Sequence, residues 1–437
     1  MHFTGAAALV LIALASSAPL VAQGAPAGAA STPAADNTAL LDSIRQRLRD
    51  HYVLPATGEA LVAALTQAER DGRFSGLAGR ELAAAVNAVM REVTPDGHLS
   101  LMHDPGMAAM LTEHPEGGAD DAEEVSPQQQ RMIALNNGGV RKLEVLPGNI
   151  RYMDYGGFMW GSPAAQAAID NAMEFLAGGS AAIIDLRRNG GGSPEAVAAL
   201  ASYFLPEGTP LMRFEMRGRS DQATSAGATP FKINGIPVYV LTSRQSVSAA
   251  EEFAAHADAF GFATLVGETT GGAGFRNTLY AEPGGFVLSV STGQAIQVKS
   301  GKGWERTGIA PAVAVPADRA LDMARAEAIA ALIETAPDGE RQAYERLLPV
   351  YRALAAGAQA AHPLAAYAGS FGERVVAVDA AGNLTSSRGG MQPTRLVALG
   401  GDLFTPEAAP GQQFRFVFEG DTAAALEVDG GAAVPRG

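Results

Sequence analysis

Residues 236–268 read IPVYVLTSRQSVSAAEEFAAHADAFGFATLVGE, and this stretch decides the fold. The β-branched, apolar run 236–242 predicts a buried strand, and a second apolar run at 263–267 predicts another. The alanine-rich segment between them predicts a helix that begins near Ser248. Strand, helix and strand in this order are typical of an α/β domain.

Ser248 stands at the point where the predicted helix begins. Free backbone N–H groups and the positive end of the helix dipole favour negative charge at such a position. Ser248 is therefore a candidate nucleophile whose tetrahedral oxyanion would be met by its own helix. The alternative is that Ser246 or Ser248 only caps the helix, with Glu251 or Glu252 favourable in its first turn.

The composition is that of a folded globular protein. The chain has 437 residues, of which 47% are hydrophobic and 18% are charged, and this length is enough for two or three domains. A net charge of −14 argues against nucleic acid and anionic membranes as partners. The absence of cysteine excludes thiolate catalysis, disulfides and cysteine metal sites.

The first 24 residues are predicted to be a signal peptide. The apolar run 6–18 is too short to span a bilayer, and small residues follow it. No later segment is apolar for long enough to cross a membrane. The expected location is therefore outside the cytoplasm, in a periplasm-like compartment, and a retained N-terminal anchor is the alternative.

The rest of the chain divides into five predicted parts. These are an N-terminal helical domain, an acidic flexible loop, an α/β core, a helical connector and a C-terminal β domain, at 36–104, 105–139, 140–335, 336–362 and 363–437.

The predicted core contains a glycine turn between a strand and a helix. An apolar strand at 181–187 is followed by Gly190, Gly191 and Gly192, and a helix then runs to about residue 205. The three glycines match neither the dinucleotide fingerprint nor the phosphate loop, so a nucleotide site is not expected. Two further strands are predicted at 286–292 and 295–299.

Three motifs in this order resemble a known family. DLRRNGGG (185–192), SVSAAE (246–251) and VGETTGG (266–272) are similar to the core of the tail-specific, or C-terminal processing, serine peptidases. The branch that includes interphotoreceptor retinoid-binding protein and the tricorn core protease is more similar, and segments 149–152 and 307–311 also fit it. The resemblance covers about residues 36–335 and implies a crotonase/ClpP-like ββα core, an α/β fold.

The resemblance implies which groups would carry out the chemistry. It makes Ser248 the nucleophile, because the glutamate of the motif, Glu251, comes three residues later. It also implies that the oxyanion is bound by the backbone N–H of Ala249 and by that of a glycine in the turn, Gly191 foremost, with Gly190 beside it.

The base that the resemblance implies is a histidine. Tail-specific enzymes place a lysine 25 residues after the serine, and here that residue is Ala273. In the tricorn-like branch, a histidine after the N-terminal helices is the base, and His98 in Asp-Gly-His-Leu resembles that motif. Imidazole titrates near neutral pH, so it accepts a proton without a large pKa shift.

Glu305 falls where that branch has a carboxylate that supports the base. The branch also has a serine just before the histidine, which links the histidine to the glutamate, whereas this chain has Gly97. Glu305 would then reach His98 through another group or water, and Glu268 is the rival carboxylate.

The function that these residues predict is that of an exported serine endopeptidase acting on peptides or unfolded polypeptides. No metal and no cofactor are expected, and the oligomeric state is left open. The alternative on the same scaffold is a non-catalytic protein that binds a hydrophobic ligand or a peptide. A crotonase-type hydratase or thioesterase is a third candidate, which export away from coenzyme A disfavours.

Overall fold

The computed structural model describes residues 37–113 and 125–437. The predicted signal peptide, residues 1–24, lies outside these ranges. Within them, no helix combines the length and the apolar character needed to cross a membrane.

The chain begins with three helices, as the sequence predicts: α1 (Thr38–His51), α2 (Pro55–Arg70) and α3 (Gly79–Val93). Each helix buries one apolar face in a common core, because its apolar residues recur at helical spacing. A short strand, β1 (Ser100–His103), follows the third helix.

Two helices stand where the sequence was predicted to form a flexible loop. These are α4 (Pro105–Glu113) and α5 (Pro127–Leu135), so the prediction for 105–139 is wrong at both ends, and residues 114–124 lie outside the described ranges. The second helix starts with a capping box, in which the Ser126 and Gln129 side chains each accept the other residue's backbone N–H. This local signal outweighs the acidic composition.

The core alternates strands with helices. Its elements, in chain order, are β2 (Val140–Leu146), β3 (Ile150–Tyr155), α6 (Pro163–Ala177), β4 (Ala181–Asp185), α7 (Pro194–Ala201), β5 (Pro210–Met216), β6 (Gln222–Ser225), β7 (Val238–Thr242), α8 (Ala249–Phe260), β8 (Thr264–Gly267), β9 (Phe275–Glu282), β10 (Phe286–Gln297) and β11 (Val313–Ala314).

Six of these strands form one sheet in the order β11-β8-β7-β4-β3-β2. All neighbours in it pair in parallel except β2 and β3. Strands β4 and β7 are adjacent, with Asp185 opposite Leu241. Because parallel strands end at the same edge, the glycine turn after β4 and the serine turn after β7 meet there.

A second sheet has the order β1-β10-β5-β6, and β9 pairs with the other edge of β10. The prediction of two strands between 286 and 299 is wrong, because β10 is one strand with a register shift between Ser291 and Gly293. A bulge at a glycine looks like a turn in sequence but keeps the pairing. Strand β1 pairs with β10 through Ser100 and Ser289, which ties the N-terminal helices to the core.

Two helices, α9 (Ala320–Thr335) and α10 (Asp338–Ala356), lead to the C-terminal β domain. Its eight strands each pair with the next: β12 (Gly369–Phe371), β13 (Arg374–Val378), β14 (Leu384–Arg388), β15 (Thr394–Gly400), β16 (Leu403–Pro406), β17 (Phe414–Glu419), β18 (Thr422–Val428) and β19 (Val434–Pro435). The predicted α/β fold with a helical N-terminal part and a C-terminal β domain is confirmed.

Candidate active site

Ser248 directly precedes α8 and has an unusual backbone conformation. Its φ is 56° and its ψ is −121°, in a region that residues with a Cβ atom rarely occupy. Such a conformation costs about 1–3 kcal/mol and persists only when the surrounding structure holds it. Ser248 is the N-cap of α8 and pairs with Glu251 as in a capping box, but its backbone angles lie outside the β region that a cap ordinarily adopts. Strain of this kind is concentrated at functional sites.

Glu251 holds the strained segment in place. The Glu251 carboxylate is fully buried and accepts four hydrogen bonds from two parts of the chain. One oxygen accepts from the Thr270 hydroxyl and the Gly272 N–H, both at 2.6 Å. The other accepts from the Ala273 N–H at 2.8 Å and the Ser248 N–H at 3.0 Å. Burial raises the pKa of Glu251, and these hydrogen bonds oppose the rise.

Ser246 has a structural role. Its hydroxyl is buried, donates to the Leu186 carbonyl at 2.7 Å and accepts from the Ser243 N–H at 3.0 Å. Because Leu186 follows β4, this pair of bonds fixes the serine turn against the strand that leads into the glycine turn. Ser246 is therefore engaged in holding the turn, and Ser248 remains the candidate nucleophile.

The glycine turn lies directly against Ser248. Gly191 has a φ of +100°, and a Cβ atom placed on it would lie 2.7 Å from the Ser248 Cβ and 2.9 Å from the Val247 carbonyl oxygen. Only glycine allows this approach. Asn189 organises the turn, since its side chain donates to the Tyr155 carbonyl and accepts the Gly191 N–H, both at 2.8 Å.

Of the predicted oxyanion donors, Ala249 borders a cavity next to Ser248. Gly192 also borders it, and Gly190 and Gly191 directly precede Gly192 in the glycine turn. The Gly191 N–H is bound by Asn189, so its use as a donor would require that this bond be shared. Gly192 and Phe158 form a parallel bridge, in which the Phe158 N–H donates to the Gly191 carbonyl and the Ser193 N–H donates to the Phe158 carbonyl. The Gly192 N–H takes no part in this bridge and points away from Phe158. Sequence reasoning did not single out Gly192.

His98 follows the N-terminal helices and precedes β1. Its backbone N–H donates to the Asp96 carboxylate at 2.8 Å, and its carbonyl accepts from the Ser289 hydroxyl at 2.5 Å. The His98 Nδ1 atom is buried and has no hydrogen-bond partner. Burial lowers the pKa of His98, and the negative charge of Asp96 opposes that shift.

Residue 273 connects this segment to the serine turn. A Cβ atom placed on Gly97 would lie 3.6 Å from the Ala273 Cβ, and the Ala273 N–H is bound by Glu251. Ala273 also borders the cavity next to Ser248. None of the four lysines, all of which lie within 125–437, borders this cavity: Lys142, Lys232, Lys299 and Lys302.

Glu305 is bound to the two residues that directly follow Ala273. One of its carboxylate oxygens accepts from the Gly274 N–H at 2.7 Å and the Phe275 N–H at 3.1 Å, and the other is buried with no partner. Burial, with the nearby charge of Asp96, raises the pKa of Glu305 to about 7. Glu268 lies elsewhere, where its carboxylate accepts the Ala317 N–H at 3.2 Å.

A strained serine on a turn from a strand into a helix, packed on a glycine turn, resembles the nucleophile turn of serine hydrolases. Residues 148–315 match the sequence model of peptidase family S41. This match covers less than half of the chain and indicates a serine peptidase. This segment includes the glycine turn, Ser248 and Glu305, whereas His98 lies before it.

Three proteases or peptidases are among the solved structures that match parts of this chain. Photosystem II D1 C-terminal processing protease is 14% identical, over 65% of this chain and 94% of that one, with a TM-score of 0.41. A putative peptidase from Parabacteroides merdae is 20% identical, over 63% and 89%, with a TM-score of 0.42. The tricorn protease is 12% identical, over 63% and 34%, with a TM-score of 0.37.

Proposed function

We propose that this protein is an exported endopeptidase that cleaves peptides or unfolded polypeptides through an acyl-enzyme on Ser248. The strained backbone of Ser248 is the observation that carries the proposal, because a residue that caps a helix ordinarily has backbone angles in the β region. In the proposed reaction, the Ser248 Oγ attacks the scissile carbonyl and its proton passes to His98. The amine then leaves with that proton, and water hydrolyses the ester.

His98 is the proposed base. Burial lowers its pKa, so the imidazole is neutral and able to accept a proton at neutral pH. The packing of Gly97 near Ala273 brings its segment to the loop that borders the cavity beside Ser248. None of the four lysines borders that cavity, so none is proposed as the base instead of His98.

Glu305 is the proposed support for the protonated base. Its free carboxylate oxygen and the His98 Nδ1 atom are both buried without partners, and residue 97 has no side chain to link them. A water molecule between them would satisfy both groups, since buried polar atoms are nearly always paired. A negative Glu305 would then stabilise the imidazolium that forms during the reaction.

The proposed oxyanion donors are the Ala249 N–H and an amide of the glycine turn. Gly191 remains the predicted residue, and Gly192 is a second candidate because its N–H points away from Phe158. Each such donor is typically worth about 10²–10³ in kcat.

A fluorophosphonate probe tests the nucleophile. We expect wild-type protein to be labelled on the Ser248 Oγ with loss of fluoride, and Ser248→Ala to remain unlabelled. Ser246→Ala is the matched control for a serine two residues away, provided that it remains folded. Equal labelling of wild type and Ser248→Ala would refute the assignment. Absence of labelling in both would favour the non-catalytic binding protein.

Export rests on residues 1–24 alone. We expect the mature protein to begin after this segment and to be found in the periplasmic fraction of a bacterial host. N-terminal sequencing of that fraction is the direct measurement, and recovery of the chain with its first residues intact in the cytoplasm would contradict export.

A further inference from the structure

A cavity beside Ser248 contains an unpaired acidic side chain. Glu252 is four residues after Ser248, so both lie on the same face of α8, and both border this cavity. Glu252 is only 3% exposed, and its Oε1 atom has no hydrogen-bond partner. His256 is one group that could pair with it, but its Nε2 lies 3.6 Å from the Glu252 Oε1, too far for a hydrogen bond.

Part of the cavity wall is formed by large apolar side chains. Phe214, Phe275 and Trp304 are buried and line it. Such walls favour the methylene stem of a long side chain, because they remove it from water. An apolar stem that ends in a hydrogen-bond donor would match both the walls and the Glu252 oxygen.

The charges around the cavity favour a basic group. Burial raises the pKa of Glu252 and the negative charge of Glu195 adds to that rise, whereas His256 and the positive charge of Arg276 oppose it. Arg276 also borders the cavity, with its guanidinium 4.9 Å from the centre of the Phe214 ring. A buried carboxylate without a close partner is unfavourable, and an entering cation restores its pairing.

We propose that this cavity binds the side chain on the acyl side of the scissile bond and that Glu252 selects lysine or arginine there. This inference rests on the proposed function of Ser248. It places the substrate carbonyl between Ser248 and Ala249, which border the same cavity, and the basic head next to Glu252. Glu252 thus determines specificity, whereas its neighbour Glu251 positions the nucleophile.

Peptidyl diphenyl phosphonates test the inference. The serine oxygen bonds to phosphorus and phenol leaves with the serine proton, so the inactivation rate reports side-chain recognition without a known substrate. Three probes would differ only in the side chain next to phosphorus, that of lysine, leucine or glutamate. We expect the lysine probe to inactivate wild type at least tenfold faster than the leucine probe, and the glutamate probe to be slowest.

Two variants give opposite expectations. Glu252→Gln keeps the shape and removes the charge, so the lysine-to-leucine ratio should fall toward one. Arg276→Gln removes the opposing charge, so the ratio should rise. An unchanged ratio in Glu252→Gln, a leucine or glutamate preference in wild type, or a lower ratio in Arg276→Gln would each overturn the inference.

Controls separate this inference from the proposed function. Circular dichroism and an unfolding curve verify that each variant is folded, and Arg276→Gln provides a test if Glu252→Gln is not. Labelling of Ser248 by the fluorophosphonate with no lysine preference would refute only the role of Glu252. Absence of labelling would refute the nucleophile and, with it, the inference.

Discussion

The substitution Glu251→Gln tests whether a buried carboxylate holds the nucleophile in its strained conformation. The glutamine amide has the same shape as the carboxylate, but only one of its two end groups accepts hydrogen bonds. If the amide oxygen faces Ser248 and Ala273, the NH2 group can donate to the Thr270 hydroxyl but meets the Gly272 N–H. The opposite orientation places NH2 against two backbone N–H groups.

The energetic cost can be estimated from these contacts. One buried N–H left unpaired costs about 1–3 kcal/mol. The remaining bonds lose the charge assistance that makes them stronger, about 1 kcal/mol in total, and the relief of carboxylate burial offsets part of the loss. We expect the free energy of unfolding to fall by about 2–4 kcal/mol. Relaxation of Ser248 by about 1.4–2.8 kcal/mol would slow its labelling about 10- to 100-fold.

Two measurements on the same protein preparation provide the assay: urea unfolding and the rate of fluorophosphonate labelling. Glu81→Gln is the matched control, because Glu81 is exposed in the first turn of α3 and the same change there should cost less than about 0.5 kcal/mol. A Glu251→Gln variant whose stability lies within about 0.5 kcal/mol of wild type and whose labelling rate lies within about twofold would refute the reasoning.

Three further predictions concern the remaining site groups. Because burial lowers the pKa of His98 from 6.5, kcat/KM should rise with pH about a midpoint below 6.5, and Asp96→Asn should move that midpoint lower still. Because the pKa of Glu305 is raised to about 7, the profile is also measured in Glu305→Gln, and a midpoint above 6.5 in that variant would count against His98. Gly191→Ala should reduce kcat at least about 100-fold. Gly218→Ala, also at positive φ but in open space, should leave kcat unchanged; equal effects would contradict the role of the turn. Burial raises the pKa of Glu305 from 4.5 to about 7, so the folded state binds this proton more tightly than the unfolded state. The wild-type free energy of unfolding should therefore fall, relative to Glu305→Gln, as pH rises through about 7, and a difference independent of pH would disprove the shift.

The glycine turn and the serine turn, which follow adjacent strands, could be predicted from the sequence. The glycine turn and the serine turn each follow an apolar run, and parallel strands place such ends together. The resemblance to the tail-specific peptidases implied the pairing of Ser248 with Gly191, and a Cβ atom placed on Gly191 would lie 2.7 Å from the Ser248 Cβ. Local patterns placed Ser246 and Ser248 at the same helix start, and the tertiary contacts of Ser246 show its structural role.

The rest depended on contacts between distant segments. The sequence predicts Glu251 as an acidic residue in the first turn of a helix and as a residue of the family motif. Three of its four hydrogen bonds, however, come from residues 270–273. The partners of Glu305 come from the same stretch of loop. The periodicity of apolar residues predicts helices and strands but not which loops contact each other. The anchoring role of Glu251 and the unpaired oxygen of Glu305 therefore could not be predicted from the sequence. The capping box at Ser126, by contrast, is a local sequence signal for a helix. The acidic composition of the surrounding segment predicts a flexible loop instead, and that prediction is wrong for 127–135.

The pairing of β1 with β10 has a consequence for when activity can arise. With His98 as the base, the proton acceptor is supplied by a segment about 150 residues before the nucleophile, and it reaches the site only when β1 joins the edge of β10. Contacts between such distant parts of a chain tend to form late in folding. A chain in which this pairing has not yet formed would thus contain a serine that cannot yet cleave peptides. The protease would be protected from digesting its own unfolded copies, with no inhibitory propeptide required.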